Sequence, residues 1–98
     1  MNILITGANR GIGLEMVKYA NEQGWRVFAC CRNRHNADNL FNIAQLSNGQ
    51  ISVHIADMLE LSTLQALSYE LSNDDIDILL NNAGIAGCVK KRLGLVEV

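Results

Sequence analysis

The alternation of short apolar runs with amphipathic stretches predicts an α/β fold: a parallel sheet between helices in three layers, truncated after a fourth strand, with strand order 3-2-1-4. Three observations carry this. Ile3-Leu4-Ile5 is an apolar run that gives way to Gly7, Gly11 and Gly13 directly before a helical pattern, which reads as a buried strand, a tight turn and a helix start. Arg26-Val27-Phe28-Ala29-Cys30-Cys31 is nearly unbroken in small and apolar residues, as a strand covered on both faces requires. Ile76-Asp77-Ile78-Leu79-Leu80 runs into Asn81-Asn82-Ala83-Gly84, a strand ending in residues small enough for a ligand to lie along main chain.

The elements between follow in order. Met16, Val17 and Ala20 recur at helical spacing and predict a helix from Ile12 to Gln23, ended by a left-handed Gly24 with Trp25 packing back behind it. Strand, helix, strand then implies a right-handed crossover. From Asp38 to Leu46, Leu40, Phe41 and Ala44 share one side, which predicts a short helix closed by an Asn48-Gly49 turn. Gln50 to Ala56 alternates Ile51, Val53 and Ile55 with Ser52, His54 and Ala56, a third strand with one wetter face. That alternation points His54 toward solvent or a covering helix rather than toward chemistry. Leu64, Leu67 and Leu71 form the apolar stripe of a helix over Ser62 to Leu71, and Asn73-Asp74-Asp75 breaks it.

Composition limits the function classes. A chain of 98 residues is one domain at most, burying only about two-thirds of the surface its unfolded form exposes. With 49% hydrophobic and 18% charged residues it is neither a disordered tail nor a disulfide scaffold. No run approaches the roughly 20 apolar residues of a membrane span, and no leader pattern opens the chain, so the expected location is cytoplasmic. A net charge of −2 gives no electrostatic case for nucleic acid, despite basic clusters at Arg32 to Arg34 and Lys90 to Arg92. Cys30, Cys31 and Cys88 lack metal-ligand spacing, and adjacent strand residues face opposite ways, so neither a zinc site nor a disulfide is assigned.

The spaced glycines are the chemical signal. Without Cβ atoms the backbone can approach a pyrophosphate, and the following helix offers unpaired N–H groups at its positive end. The ligand implied is a dinucleotide. Thr6-Gly7-x-x-x-Gly11-Ile12-Gly13, together with Asn81-Asn82-Ala83-Gly84, resembles the cofactor motifs of the short-chain dehydrogenase/reductase family, and Ile3 to Glu15 looks most like its carbonyl-reductase or C-factor type of member. The resemblance implies an NAD(P)-binding Rossmann fold with cofactor contacts from Gly7, Asn9, Arg10, Gly11, Ile12 and Gly13. Members preferring NAD carry an acid at the end of the second strand; here the residues are Cys31-Arg32-Asn33-Arg34. The resemblance therefore implies NADP, with Arg10 and Arg32 clamping its extra phosphate and Asn33 as a lesser contact, while Arg34 is expected to be a solvated loop charge. It also implies that Asp57 accepts a hydrogen bond from the adenine amino group and that the Met58 N–H meets a ring nitrogen. The same aspartate could simply cap the next helix. Asn81 is expected to steady the central strands, with Asn82, Ala83 and Gly84 along the ribose and nicotinamide.

The resemblance covers Ile3 to about Gly87, giving an NADP-binding half-domain over residues 1–87 and an atypical tail over 88–98. Hydride transfer in the family uses a later Ser, a Tyr and a Lys four residues after the Tyr. Here Gln23 follows Tyr19 and Asn73 follows Tyr69 at that spacing, so no catalytic residue is assigned. The tail suggests a chain ended early, after a reading-frame change near Gly87, with the fourth strand's edge bare and open to self-association. The expected function is the NADP-binding part of an oxidoreductase acting on carbonyl or alcohol groups, with a small carbonyl substrate if complete. The alternatives are a non-catalytic dinucleotide-binding module or truncated remnant, and a small protein that associates through its sheet edge. A methyltransferase is a weaker competitor, because Arg32 stands where its ribose-binding acid would be.

Overall fold

The structure, a computed structural model, describes residues 1–57, 59–82 and 96–97. Its elements are β1 (Asn2–Ile5), α1 (Gly11–Glu22), β2 (Arg26–Cys31), α2 (Asp38–Gln45), β3 (Ile51–Ile55), α3 (Leu61–Glu70), β4 (Ile78–Leu80) and β5 (Val96–Glu97). All pairings are parallel and the order is β3-β2-β1-β4-β5. The expected 3-2-1-4 arrangement is present. The residue pattern did not foreshadow β5, which sets Val96 opposite Ile78 and Glu97 opposite Leu79, so the β4 edge is paired over two residues rather than bare.

Strand alternation divides the interior in two. Ile3, Ile5, Val27, Ala29, Cys31 and Ile51 face Leu14, Val17 and Ala20 of α1 and Ala37 and Leu40 of the α2 region. Leu4, Phe28, Cys30 and Leu79 face the other way, toward Leu67 of α3. Helices on both faces are the consequence of central strands with buried apolar residues on both sides.

The turns at the amino end of the sheet are built as their residues require. Gly24 has φ +80, its N–H donates to Asn21 O (3.0 Å), and the Trp25 N–H donates to Ala20 O (3.0 Å), the paired bonds of a Schellman ending. Trp25 meets Tyr19 edge-on at 6.0 Å. Asn48 and Gly49 both have positive φ, and the Gln50 side chain donates to Gly24 O and Trp25 O, tying the two turns together. The third strand departs from clean alternation: Ile51 is buried while Ile55 is 41% exposed, because β3 is an edge strand and only one neighbour covers it. The strand predicted from Ile76 begins at Ile78; Asp77 instead accepts the Asn2 N–H through its carboxylate and donates its own N–H to Asn2 O. Among the described residues no helix is long and apolar enough to cross a membrane.

Candidate cofactor-binding site

The chain leaves β1 at Thr6 and enters a loop whose turns favour glycine. Gly7 and Gly11 lie at φ +60 and +58, in the left-handed region that side chains resist. The Ala8 N–H donates to Cys30 O (2.9 Å), pinning the loop to β2. At Gly13 the requirement is space: an added Cβ would stand 2.1 Å from Gly7 O and 2.7 Å from Asn82 Nδ2. Its absence lets α1 press directly on the loop. Arg10, the residue before α1, is extended and provides no side-chain cap. The first turn thus presents its N–H groups without a capping side chain at the helix's positive end, where an anion is favoured.

The second motif is tied to the first through one hydroxyl. Thr6 Oγ1 donates to Asn81 Oδ1 (3.0 Å) and accepts the Asn82 N–H (2.8 Å), and the Asn82 side chain donates to Gly7 O (3.3 Å). Residues 75 positions apart in the chain form one cluster. Both asparagines therefore brace the central strands and the loop, where only Asn81 was expected to. Thr6 was part of the motif but given no role; its position between the apolar run and the first glycine was the available signal.

On the ligand side, Asn9 donates to Asn36 O (3.2 Å), joining the glycine loop to the segment after β2. A hollow of about 450 Å³ opens there, lined by Asn9, Arg10, Gly11, Leu14, Asn36, Asp38 and Asn39. Ile12, an apolar side chain in the first turn of α1, is 72% exposed. Arg10 and Arg32 are exposed, and among the described residues neither has a carboxylate within ion-pair reach. Arg34 is exposed, as expected, with its guanidinium over the Phe41 ring at 5.1 Å, since a weakly hydrated guanidinium gains from an aromatic face. Asn33 accepts the His35 N–H (2.9 Å). Asp38, at the start of α2, brings an acid to the hollow that the reading of the β2 end did not weigh.

Asp57 stands half-buried past the carboxyl end of β3. Its Oδ1 accepts the Leu59 N–H (2.9 Å), and its own N–H donates to Thr63 Oγ1 (2.9 Å). The capping alternative fails: the residue before α3 is Glu60, without a side-chain cap, so Asp57 closes a local turn three residues earlier. Met58, Ala83 and Gly84 lie outside the described residues.

The two cysteines of β2 are inert packing. Cys30 faces α3 and Cys31 faces α1 and α2. Burial, reinforced by Cys31 and Glu70, pushes the Cys30 thiol up to about 12. Burial also raises Cys31, opposed by Arg34. Neither is a thiolate at neutral pH, and among the described residues no group of His, Cys, Asp and Glu could hold a metal.

Known proteins share this arrangement. The chain is 32% identical over 83 residues to the fatty acyl-CoA reductase of Acinetobacter baylyi, covering 83% of this chain and 28% of that protein. A carbonyl reductase from Pseudomonas aeruginosa, solved in complex with NADP, matches with TM-score 0.79 and 31% identity over 86% of this chain and 36% of its own. A 4-hydroxyisoleucine dehydrogenase complexed with NADH matches with TM-score 0.70 and 30% identity over 86% of this chain and 34% of its own. The chain thus spans under a third of that curated relative's length. The family model of short chain dehydrogenases matches residues 1–95, and with the glycine loop and its asparagine brace in place, the chain belongs to the short-chain dehydrogenase/reductase family.

Proposed function

We propose that this chain binds NADP(H), as the cofactor part of an oxidoreductase acting on carbonyl or alcohol groups, and that taken alone it is a dinucleotide-binding module without turnover. The observation that carries the reading is the uncapped first turn of α1, held against Gly7 by the missing Cβ of Gly13. In this reading the pyrophosphate lies on the loop of Gly7, Asn9, Gly11, Ile12 and Gly13. Asp57 and Met58 take the adenine, and Asn82, Ala83 and Gly84 flank the ribose and nicotinamide. The bound cofactor would supply a hydride. The chain's own tyrosines cannot complete a Tyr-x-x-x-Lys proton relay, because Gln23 and Asn73 occupy the lysine positions.

Relatives are found with either cofactor, NADP in one and NADH in another. The preference for NADP therefore rests on Arg10, Arg32 and, to a lesser degree, Asn33; Asp38 at the hollow's edge works against it. Dissociation constants of the purified chain for NADPH and NADH test this. We expect NADPH to bind roughly tenfold more tightly, as one charge-assisted phosphate contact supplies, and Arg32→Ala to erase the difference. Tighter NADH binding overturns the choice of cofactor, and no affinity for either overturns the site. Bound NADPH should not be consumed by a panel of small aldehydes and ketones. Sustained consumption would overturn the module reading in favour of an active reductase.

A further inference from the structure

A second array of reactive side chains lies on the face of β3 opposite α1 and α2. Ser52 and His54 are two residues apart on one strand and so point the same way. Ser52 Oγ is 2.8 Å from His54 Nε2, and His54 Nδ1 is 2.8 Å from Glu70 Oε1 on α3. An ionised carboxylate only accepts, which assigns the ring hydrogen to Nδ1 and leaves Nε2 to accept from the serine hydroxyl. The ring is held in that orientation: its side chain is 9% exposed, and it lies 5.8 Å from the Phe28 ring. Hydroxyl, base and orienting carboxylate within hydrogen-bond reach are what activates a serine nucleophile. The serine is half-buried rather than sealed. It stands five residues before Asp57, ~16 Å along an extended chain, on the sheet face opposite α1.

The edge of the sheet adds a donor. The Val27 N–H donates to Gln50 O and the Ala56 N–H donates to Cys31 O, which fixes the ladder so that Ser52 and His54 turn their N–H groups toward β2. With β3 at the end of the sheet, the Val53 N–H faces outward beside the serine, without a strand to pair with.

We propose that Ser52 is an acyl-accepting nucleophile for activated carboxylic esters, with His54 as its base and Glu70 as the group that orients the base. Ser52 Oγ forms a bond to the ester carbonyl carbon while its proton passes to His54 Nε2, and the carbonyl π pair moves onto oxygen, toward the Val53 N–H. That pair then re-forms the carbonyl and expels the alkoxide or phenoxide, which takes the proton from Nε2. The products are an acyl ester of Ser52 and a free alcohol or phenol; water attacking by the same route regenerates the serine. With an activated ester the phenoxide is a far better leaving group than the serine alkoxide, so acylation is expected to outrun release.

p-Nitrophenyl acetate, followed by release of p-nitrophenol and peptide mapping by mass spectrometry, tests this on the 98-residue chain. The expected result is a burst of about one equivalent with the acetyl group on Ser52. Ser52→Ala should remove the burst. His54→Gln should slow it about a hundredfold, the usual worth of a general base. Glu70→Gln, at a side chain 60% exposed, should slow it at least roughly tenfold by favouring the wrong tautomer; it keeps the proposal falsifiable should the His54 variant misfold, which circular dichroism reports. A burst retained in Ser52→Ala, an acetyl group found only on other residues, or no burst at all overturns the proposal.

Discussion

The two faces of the sheet are built differently, and the difference locates the rigid part of the molecule. On one face, two helices contribute Leu14, Val17, Ala20 and Leu40 against Ile3, Ile5, Val27, Ala29 and Ile51 in one continuous cluster. On the other, α3 contributes a single buried side chain, Leu67, to Leu4, Phe28, Cys30 and Leu79. Around it α3 is held by polar bonds, His54 to Glu70 and Thr63 to the backbone of Asp57, each worth only about 1 kcal/mol net. The glycine loop grows out of the first face, so the first-turn N–H groups of α1 are held in place by packing, which is the condition for a precise site. The second face carries the Ser52 array on a helix with less to hold it.

That contrast can be broken at three points. Gly13→Ala sets a methyl against Gly7 O, main chain that has no rotamer to escape into; it should cost about 3 kcal/mol in urea unfolding and abolish NADPH binding. A cost below about 1 kcal/mol would mean that the loop yields and that α1 does not depend on this contact. Leu40→Ala, at a side chain with no exposed surface, should cost about 3 kcal/mol, whereas Leu67→Ala, 8% exposed beneath a lightly held helix, should cost about 2 because its surroundings can collapse. Equal or reversed losses would remove the distinction between the faces.

The smallest effect at neutral pH comes from Cys30. In the unfolded chain its thiol ionises near 9.0, in the fold at about 12. Between those values the native state holds a proton that the unfolded state has lost, so this contribution to stability is complete below pH 9.0 and declines as pH rises toward about 12. Urea midpoints from neutral to strongly alkaline pH should fall in that window for the native sequence and fall less for Cys30→Ala. An unchanged slope would mean that the thiol on the α3 face is open to solvent.

Legibility followed the range of the interaction. The helix over Ile12 to Gln23 was readable to within one residue at each end, because Gly24 and Trp25 write its ending locally. The Arg26–Cys31 strand was readable outright, because burial on both faces leaves no polar position after Arg26. His54 was rightly read as facing a covering helix; that the partner there is Glu70 was not readable. Arg34 was rightly read as exposed; that it lies over Phe41 was not readable, because Phe41 belongs to the next element. Asp57 was given a capping alternative because an aspartate before a helix usually caps it, and only the fold revealed that the residue at the cap is Glu60.

By itself, then, the sequence determined what depends on neighbours along the chain: where the first four strands and the helices lie, which turns need glycine, and the presence of a glycine loop at the start of α1. Periodicity, missing Cβ atoms and backbone dihedrals act over a few residues, so a string of letters contains them. The tertiary structure alone decided which residues meet: Thr6 with Asn81 and Asn82, Gly13 with the Gly7 backbone, β5 in register with β4, and Ser52 and His54 with Glu70. Those meetings depend on how the sheet orders its strands and where each helix comes to rest on it, and closing a loop of 16 or 75 residues leaves no mark on the residues at its ends.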